Sequence, residues 1–154
     1  MTVTAWRITK RKHARHAFSG DGAREFGGRW NNPGTAVVYT AQSQSLAALE
    51  MLVHLDSADL LEKYVLLAAD FDHSLVKVVD ASNLSRNWRA DPPPAQVRSI
   101  GDEWVLGGSS AVLQVPSVLV PGENNFLLNP GHQDFARIRF GKPLAFHFDA
   151  RLGK

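Results

Sequence analysis

Apolar residues in this chain come in short runs bounded by glycine, proline, asparagine and aspartate, and rarely in long stripes of helical spacing. That pattern confines it to folds in which strands dominate. Thr2–Thr9 reads as a short strand, Thr35–Thr40 as a buried strand ending at Tyr39, and Tyr64–Phe71 and Leu75–Val79 as strands parted by the turn-prone Asp72-His73-Ser74. Ser110–Val115 and Ser117–Val120 read as one strand system interrupted at Pro116. The tail alternates through Phe135, Ile138, Phe140, Leu144, Phe146 and Phe148, with Gly141-Lys142-Pro143 between two strands. Helices are few. Ser43 or Ser45 can cap one whose Leu46, Leu49, Leu52, Val53 and Leu55 are apolar on nearly every side, so it should be buried. A second, short one is expected near Ala95–Leu106, after the irregular Asp91-Pro92-Pro93-Pro94. Lys10–Phe26, with its charges, histidines, Gly20 and Gly22, reads as a loop. The order of elements predicts an α+β domain with central β-sheets and a few short helices, not a doubly wound sheet.

The 154 residues suit one domain, which would bury about two thirds of the surface its unfolded chain exposes. No repeat, linker or low-complexity segment divides residues 1–154. The chain has no cysteine, which excludes disulfides, thiolate metal sites and cysteine nucleophiles. Met1–Ala17 mixes Trp6 with Arg7, Lys10, Arg11, Lys12 and Arg15, so no signal-peptide core can be drawn there, and no apolar run reaches membrane-spanning length. The expectation is a cytoplasmic protein with no membrane partner. A net charge of +2 permits anionic ligands without demanding them. The basic run Lys10–Arg15 is short and lacks interleaved aromatics, so direct nucleic-acid binding ranks last. His13, His16, His54, His73, His132 and His147 form no paired-ligand motif, and no metal is expected. The phosphate-cradling and dinucleotide glycine motifs are absent.

Glu50 is the most informative residue, because it is the one charged position between Ala41 and Leu55 in an apolar helix. A carboxylate there either pairs, as with His54 one turn on, or faces a cavity; both readings stand on the sequence alone. Arg29 sits between Gly27-Gly28 and the turn Asn31-Asn32-Pro33-Gly34, where little side-chain bulk surrounds it and a backbone can approach a ligand closely. Its guanidinium could grip a pyrophosphate at two points, against the plainer reading of a solvated loop arginine. Arg7, beside Trp6 on a strand, invites the same two readings. Tyr39 offers either a stacking platform or core packing. Ser117 and Asn125, set among apolar and proline residues, either orient sugar hydroxyls and phosphate oxygens or serve turns. No G-x-S-x-G elbow surrounds Ser117, which argues against a serine nucleophile.

Taken in order, Trp6-Arg7-Ile8, Gly27-Gly28-Arg29-Trp30-Asn31, Val37-Val38-Tyr39-Thr40, Leu46-Ala47-Ala48-Leu49-Glu50 and Val115-Pro116-Ser117 resemble the landmarks of the RES domain family over about residues 6–140. Asn125-Phe126-Leu127-Leu128-Asn129-Pro130 resembles its closing motif. The family takes its name from an Arg, a Glu and a Ser, matched here by Arg29, Glu50 and Ser117. The resemblance implies an ADP-ribosyltransferase-like fold and a toxin with NAD⁺ as substrate rather than prosthetic group. It also implies an Xre-like antitoxin that blocks the active site, and leaves room for a homodimer within the toxin–antitoxin complex. Arg29, Glu50 and Ser117 would be catalytic; Arg7, Arg29, Tyr39, Ser117 and Asn125 would bind NAD⁺. Water, inorganic phosphate or a protein side chain could each accept the ADP-ribosyl group. NAD⁺ breakdown by hydrolysis or phosphorolysis is favoured, protein ADP-ribosylation is the nearest alternative, and a non-catalytic nucleotide- or partner-binding module is the reading from another class.

Overall fold

The computed structural model describes residues 1–153. Its strands are β1 (Thr2–Lys10), β2 (Val38–Ala41), β3 (Tyr64–Asp72), β4 (Val76–Val78), β5 (Val112–Pro116), β6 (Asn124–Leu128), β7 (Arg139–Phe140) and β8 (Leu144–Phe146). They form one eight-stranded sheet in the order β4-β5-β6-β2-β1-β3-β7, with β8 also on β3. All pairings are antiparallel except β4 with β5. The helices are α1 (Asp21–Phe26), α2 (Gln44–Leu52) and α3 (Ala95–Gly107). The α+β class expected from the sequence is therefore found, with a single sheet in place of several.

The β1–β3 ladder is the backbone of the sheet, running from Thr2 opposite Asp72 to Lys10 opposite Tyr64. On its other edge β1 meets β2 at one register pair only, Trp6 with Ala41. Three larger clusters and a smaller one of Ala17, Val65 and Leu67 fill the faces. Ala5, Val38, Phe71, Val112, Phe126 and Leu128 pack on one side. Trp30, Trp104, Val97, Leu113, Val115 and Leu127 pack beneath α3. Ile8, Ala41, Leu46, Ala47, Tyr64 and Phe148 pack around α2. Successive β6 residues enter opposite clusters, so this strand is covered on both sides and shows no apolar–polar alternation.

Several segments differ from the sequence reading. Lys10–Phe26 is not simply a loop: it holds a 3₁₀ turn at Arg11–His16 and α1, a helix short enough to lack a readable period and ended by Gly27 at φ 75°. The second strand begins at Val38, not Thr35, because Gly34 and its turn extend the loop. Ser117–Val120 is a turn rather than a strand. Gly141-Lys142-Pro143 does lie between two strands, as expected. β7 and β8 both run along β3, and the Gly141 amide still donates to the Ala68 carbonyl at 2.9 Å, so the interruption is an edge bulge accommodating Pro143. α2 is capped by Ser43, whose Oγ accepts from the Leu46 amide, but it is not buried all round: Leu49 is 44% and Val53 59% exposed.

α3 approaches the Gly27–Pro33 loop closely. A Cβ on the buried Gly101 would stand 2.0 Å from the Trp30 carbonyl oxygen. Gly101→Ala improves helix propensity yet forces the loop from its seat, and overpacking of this kind costs about 1–3 kcal/mol. Chemical denaturation should therefore show Gly101→Ala less stable than wild type; equal or greater stability would mean that the contact is not tight.

Candidate active site

Where β1 and β2 part beyond Trp6 and Ala41, a cleft of about 1050 Å³ opens, walled by both strands, α2 and the Gly27–Pro33 loop. The parting leaves the Tyr39 carbonyl without a ladder partner, and the Arg7 side chain supplies one, its Nη1 donating at 2.9 Å. Arg7 Nε, enclosed by protein, makes no hydrogen bond among the described residues. Burial lowers the Arg7 pKa, although a guanidinium stays charged. A cation so poorly compensated is costly in isolation and favours an anion beside it.

Arg29 is fixed from the opposite side. Its Nη1 donates to the Trp88 and Ala90 carbonyls, both at 3.0 Å, leaving Nε and Nη2 unassigned to those bonds. The loop that carries it is tied to α3: Asp102 accepts from the Asn32 amide at 3.0 Å and from its side chain at 2.7 Å, while Arg98 Nε donates to Asn32 Oδ1 at 3.0 Å.

Glu50 lies on α2, half-buried in the cleft wall. Its Oε1 accepts from Asn125 Nδ2 at 2.9 Å, and that same nitrogen donates to the Thr40 carbonyl at 3.1 Å. Desolvation pushes the Glu50 carboxyl above its usual range, against the Asn125 hydrogen bond and the attraction of His54 and Arg29. His54 also lines the cleft, and no Glu50–His54 ion pair exists among the described residues. The carboxylate therefore faces the cavity, one of the two readings its position allowed.

Tyr39 lines the same cleft. Its hydroxyl donates to Asn31 Oδ1 and accepts from the Trp30 amide at 3.0 Å. Burial raises the phenol pKa, so the ring is neutral. Gly28 makes room for it, since a Cβ there would come within 2.6 Å of the phenol oxygen.

Arg7, Arg29, Tyr39, Glu50 and Asn125 thus line one cleft. Ser117 does not. It is 1% exposed, and its Oγ accepts from the Leu119 and Val120 amides, both at 3.1 Å. That turn presents the next residues, Val118 and Leu119, to the cleft. The sequence reading missed Asn31, Asn32, Arg98 and Asp102. Asn31 and Asn32 were read as turn formers, with Asn31 also closing a family landmark but given no role in the site, and nothing local signals that Asp102 reaches a loop 70 positions earlier.

The RES domain model matches residues 4–149, somewhat beyond the 6–140 of the sequence likeness. The chain is 43% identical over 148 residues to Toxin Res of Yersinia enterocolitica, covering 96% of this chain and 97% of that one. It is 40% identical over 157 residues to the Prs ADP-ribosylating toxin of a Sphingobium species, covering 99% and 98%. The crystal structure of the Mycobacterium tuberculosis MbcT-MbcA toxin-antitoxin complex contains a chain of the same fold, with a TM-score of 0.72 at 21% identity, over 96% of this chain and 85% of that one. The match across nearly the whole sequence, with Arg29 and Glu50 of its landmarks in one cleft and Ser117 in the turn behind it, makes this chain a member of the RES domain family.

Proposed function

We propose that the protein is the toxin of a toxin–antitoxin pair and breaks the nicotinamide–ribose bond of NAD⁺. The observation that carries this reading is a half-buried carboxylate, Glu50, held by Asn125 in the same cleft as Arg7 and Arg29. Cleaving the bond sends its electron pair to the nicotinamide ring nitrogen, and nicotinamide leaves as a neutral molecule. Positive charge then builds on the ribose. A carboxylate fixed beside it and partly stripped of water stabilises that charge without reorganising.

Arg29 would hold the pyrophosphate through its remaining N–H groups, and Arg7 would face the same anion. The Tyr39 ring would pack on nicotinamide or its ribose. Asn125 commits its amide nitrogen to Glu50 and Thr40, so its main part is to aim the carboxylate. The acceptor oxygen, from water or inorganic phosphate, attacks the anomeric carbon as nicotinamide departs, a proton of the attacking water is released to solvent, and drained NAD⁺ arrests growth. Protein ADP-ribosylation is the second reading, favoured by the 40% identity to a toxin named for that activity. An Xre-like antitoxin would block the cleft, a partner supported by the fold shared with a chain of a toxin–antitoxin complex.

Purified protein incubated with NAD⁺, with and without phosphate, should release nicotinamide, and Glu50→Gln should lower turnover by about 100-fold or more. Phosphate dependence would identify the acceptor. Nicotinamide release only when a protein substrate is added would favour ADP-ribosylation, and none under any condition would exclude NAD⁺ cleavage.

The raised Glu50 pKa sets two pH dependences. Turnover should climb as pH rises through the elevated carboxyl range, since the carboxylate is the working form. Stability runs the other way: the folded state binds this proton more tightly than the unfolded state, so stability falls as pH rises through the same window. Glu50→Gln should accordingly melt above wild type at neutral pH and converge with it in acid. A variant that melts lower at neutral pH would show the charge to be stabilising instead.

A further inference from the structure

Asn31 is fully buried at 0% exposure, yet it sits within the loop that carries Arg29. Its Nδ2 donates to the carbonyls of Ala23, Asn32 and Thr35 at 2.9, 3.0 and 3.1 Å. These carbonyls belong to α1, to the turn itself and to the approach to β2. They hold the amide's nitrogen in place, which fixes Oδ1 as the atom presented to Tyr39. The Tyr39 hydroxyl gives its proton to Asn31 Oδ1 at 2.5 Å and a lone pair to the Trp30 amide at 3.0 Å. With both directions used, and Gly28 packed against the oxygen, the hydroxyl is turned into the protein.

We propose that Asn31 is a positioning residue that locks the Arg29 turn and the Tyr39 ring into one register, so that the Tyr39 hydroxyl serves the framework and only its ring serves the ligand. The inference rests on the NAD⁺ reading for its kinetic consequence and on the hydrogen bonds alone for its structural one. Arg29 and Tyr39 come from different elements, and Asn31 is the side chain that bonds to both the turn and the phenol. Loosening it would misplace guanidinium and ring together. A ligand gripped at two points then loses affinity before it loses the chemical step at Glu50, which lies on α2 and is oriented by Asn125.

The test compares Asn31→Ala, Tyr39→Phe and the double variant with wild type. For NAD⁺ turnover, Tyr39→Phe should raise KM several-fold and slow the saturated rate by a smaller factor. Asn31→Ala should do the same more strongly, raising KM at least 10-fold, because the turn is also freed. The double variant should be no worse than Asn31→Ala, since both changes break one connection. A 100-fold slower saturated rate for Tyr39→Phe at unchanged KM would place the hydroxyl in the reaction, and multiplicative losses would show the two residues to act separately; either overturns the proposal. Amide hydrogen exchange provides a readout that needs no turnover. The Trp30 amide should exchange at least 10-fold faster in both single variants while β1 and β3 stay protected, and unchanged Trp30 exchange would also overturn it. An inactive wild type with the expected exchange behaviour would refute the NAD⁺ reading while leaving the Asn31 lock supported.

Discussion

β1 and β2 share a single register pair, and the cleft exists because their ladder stops there. Two strands that continued to pair would leave no gap and no stranded backbone groups. Once they part, each exposed main-chain group needs a partner. At the parted edge the Arg7 side chain meets that need for the Tyr39 carbonyl; close by, Asn125 bonds the Thr40 carbonyl on the β6 side of β2 and the Tyr39 hydroxyl bonds the Trp30 amide of the loop. The side chains that serve these backbone groups therefore end up lining the cleft. Groups recruited to satisfy the backbone become the walls of a polar, anion-attracting pocket.

This arrangement places stability and chemistry in opposition at two positions. Arg7 brings a cation into the wall with one hydrogen bond, and Glu50 brings a carboxylate into partial burial with a raised pKa. Each would be better solvated elsewhere, and each would gain from a ligand of opposite charge beside it, in the proposed reaction a phosphate oxygen for Arg7 and a developing ribosyl cation for Glu50. The apolar clusters on both faces of the sheet supply the stability that these positions withhold. An antitoxin that enters the cleft would gain from the same unsatisfied charges, and the exposed Val53 and Leu119 on its wall add apolar surface for such a contact.

Much of this was readable from the residues in order. β1, β3 and α3 fall close to their expected bounds because alternation, turn residues and the proline run before Ala95 are local signals. Glu50 stood out because it is a charge in an apolar helix, and Arg29 because glycines and a tight turn leave room for a ligand beside it. What escaped is what depends on long-range contacts. β6 carries no period because both its faces are covered, so Asn124–Leu128 stood out only as part of a motif and was assigned no strand. The exposure of Leu49 and Val53 depends on the cleft lying beside α2, which no helical spacing reveals. Ser117 shows the limit of reading by residue type: the hydroxyl fits sugar contacts and turn chemistry equally well, and its environment here is a turn behind the cleft wall.

The most direct test of the account is a crystal structure of the Glu50→Gln variant soaked with NAD⁺, in which the substrate should survive. The nicotinamide ribose should lie beside residue 50, with the ring against Tyr39 and the pyrophosphate on Arg29 and Arg7. NAD⁺ bound elsewhere, or an empty cleft at millimolar NAD⁺, would contradict the claim that this frayed edge of the sheet is where NAD⁺ is broken.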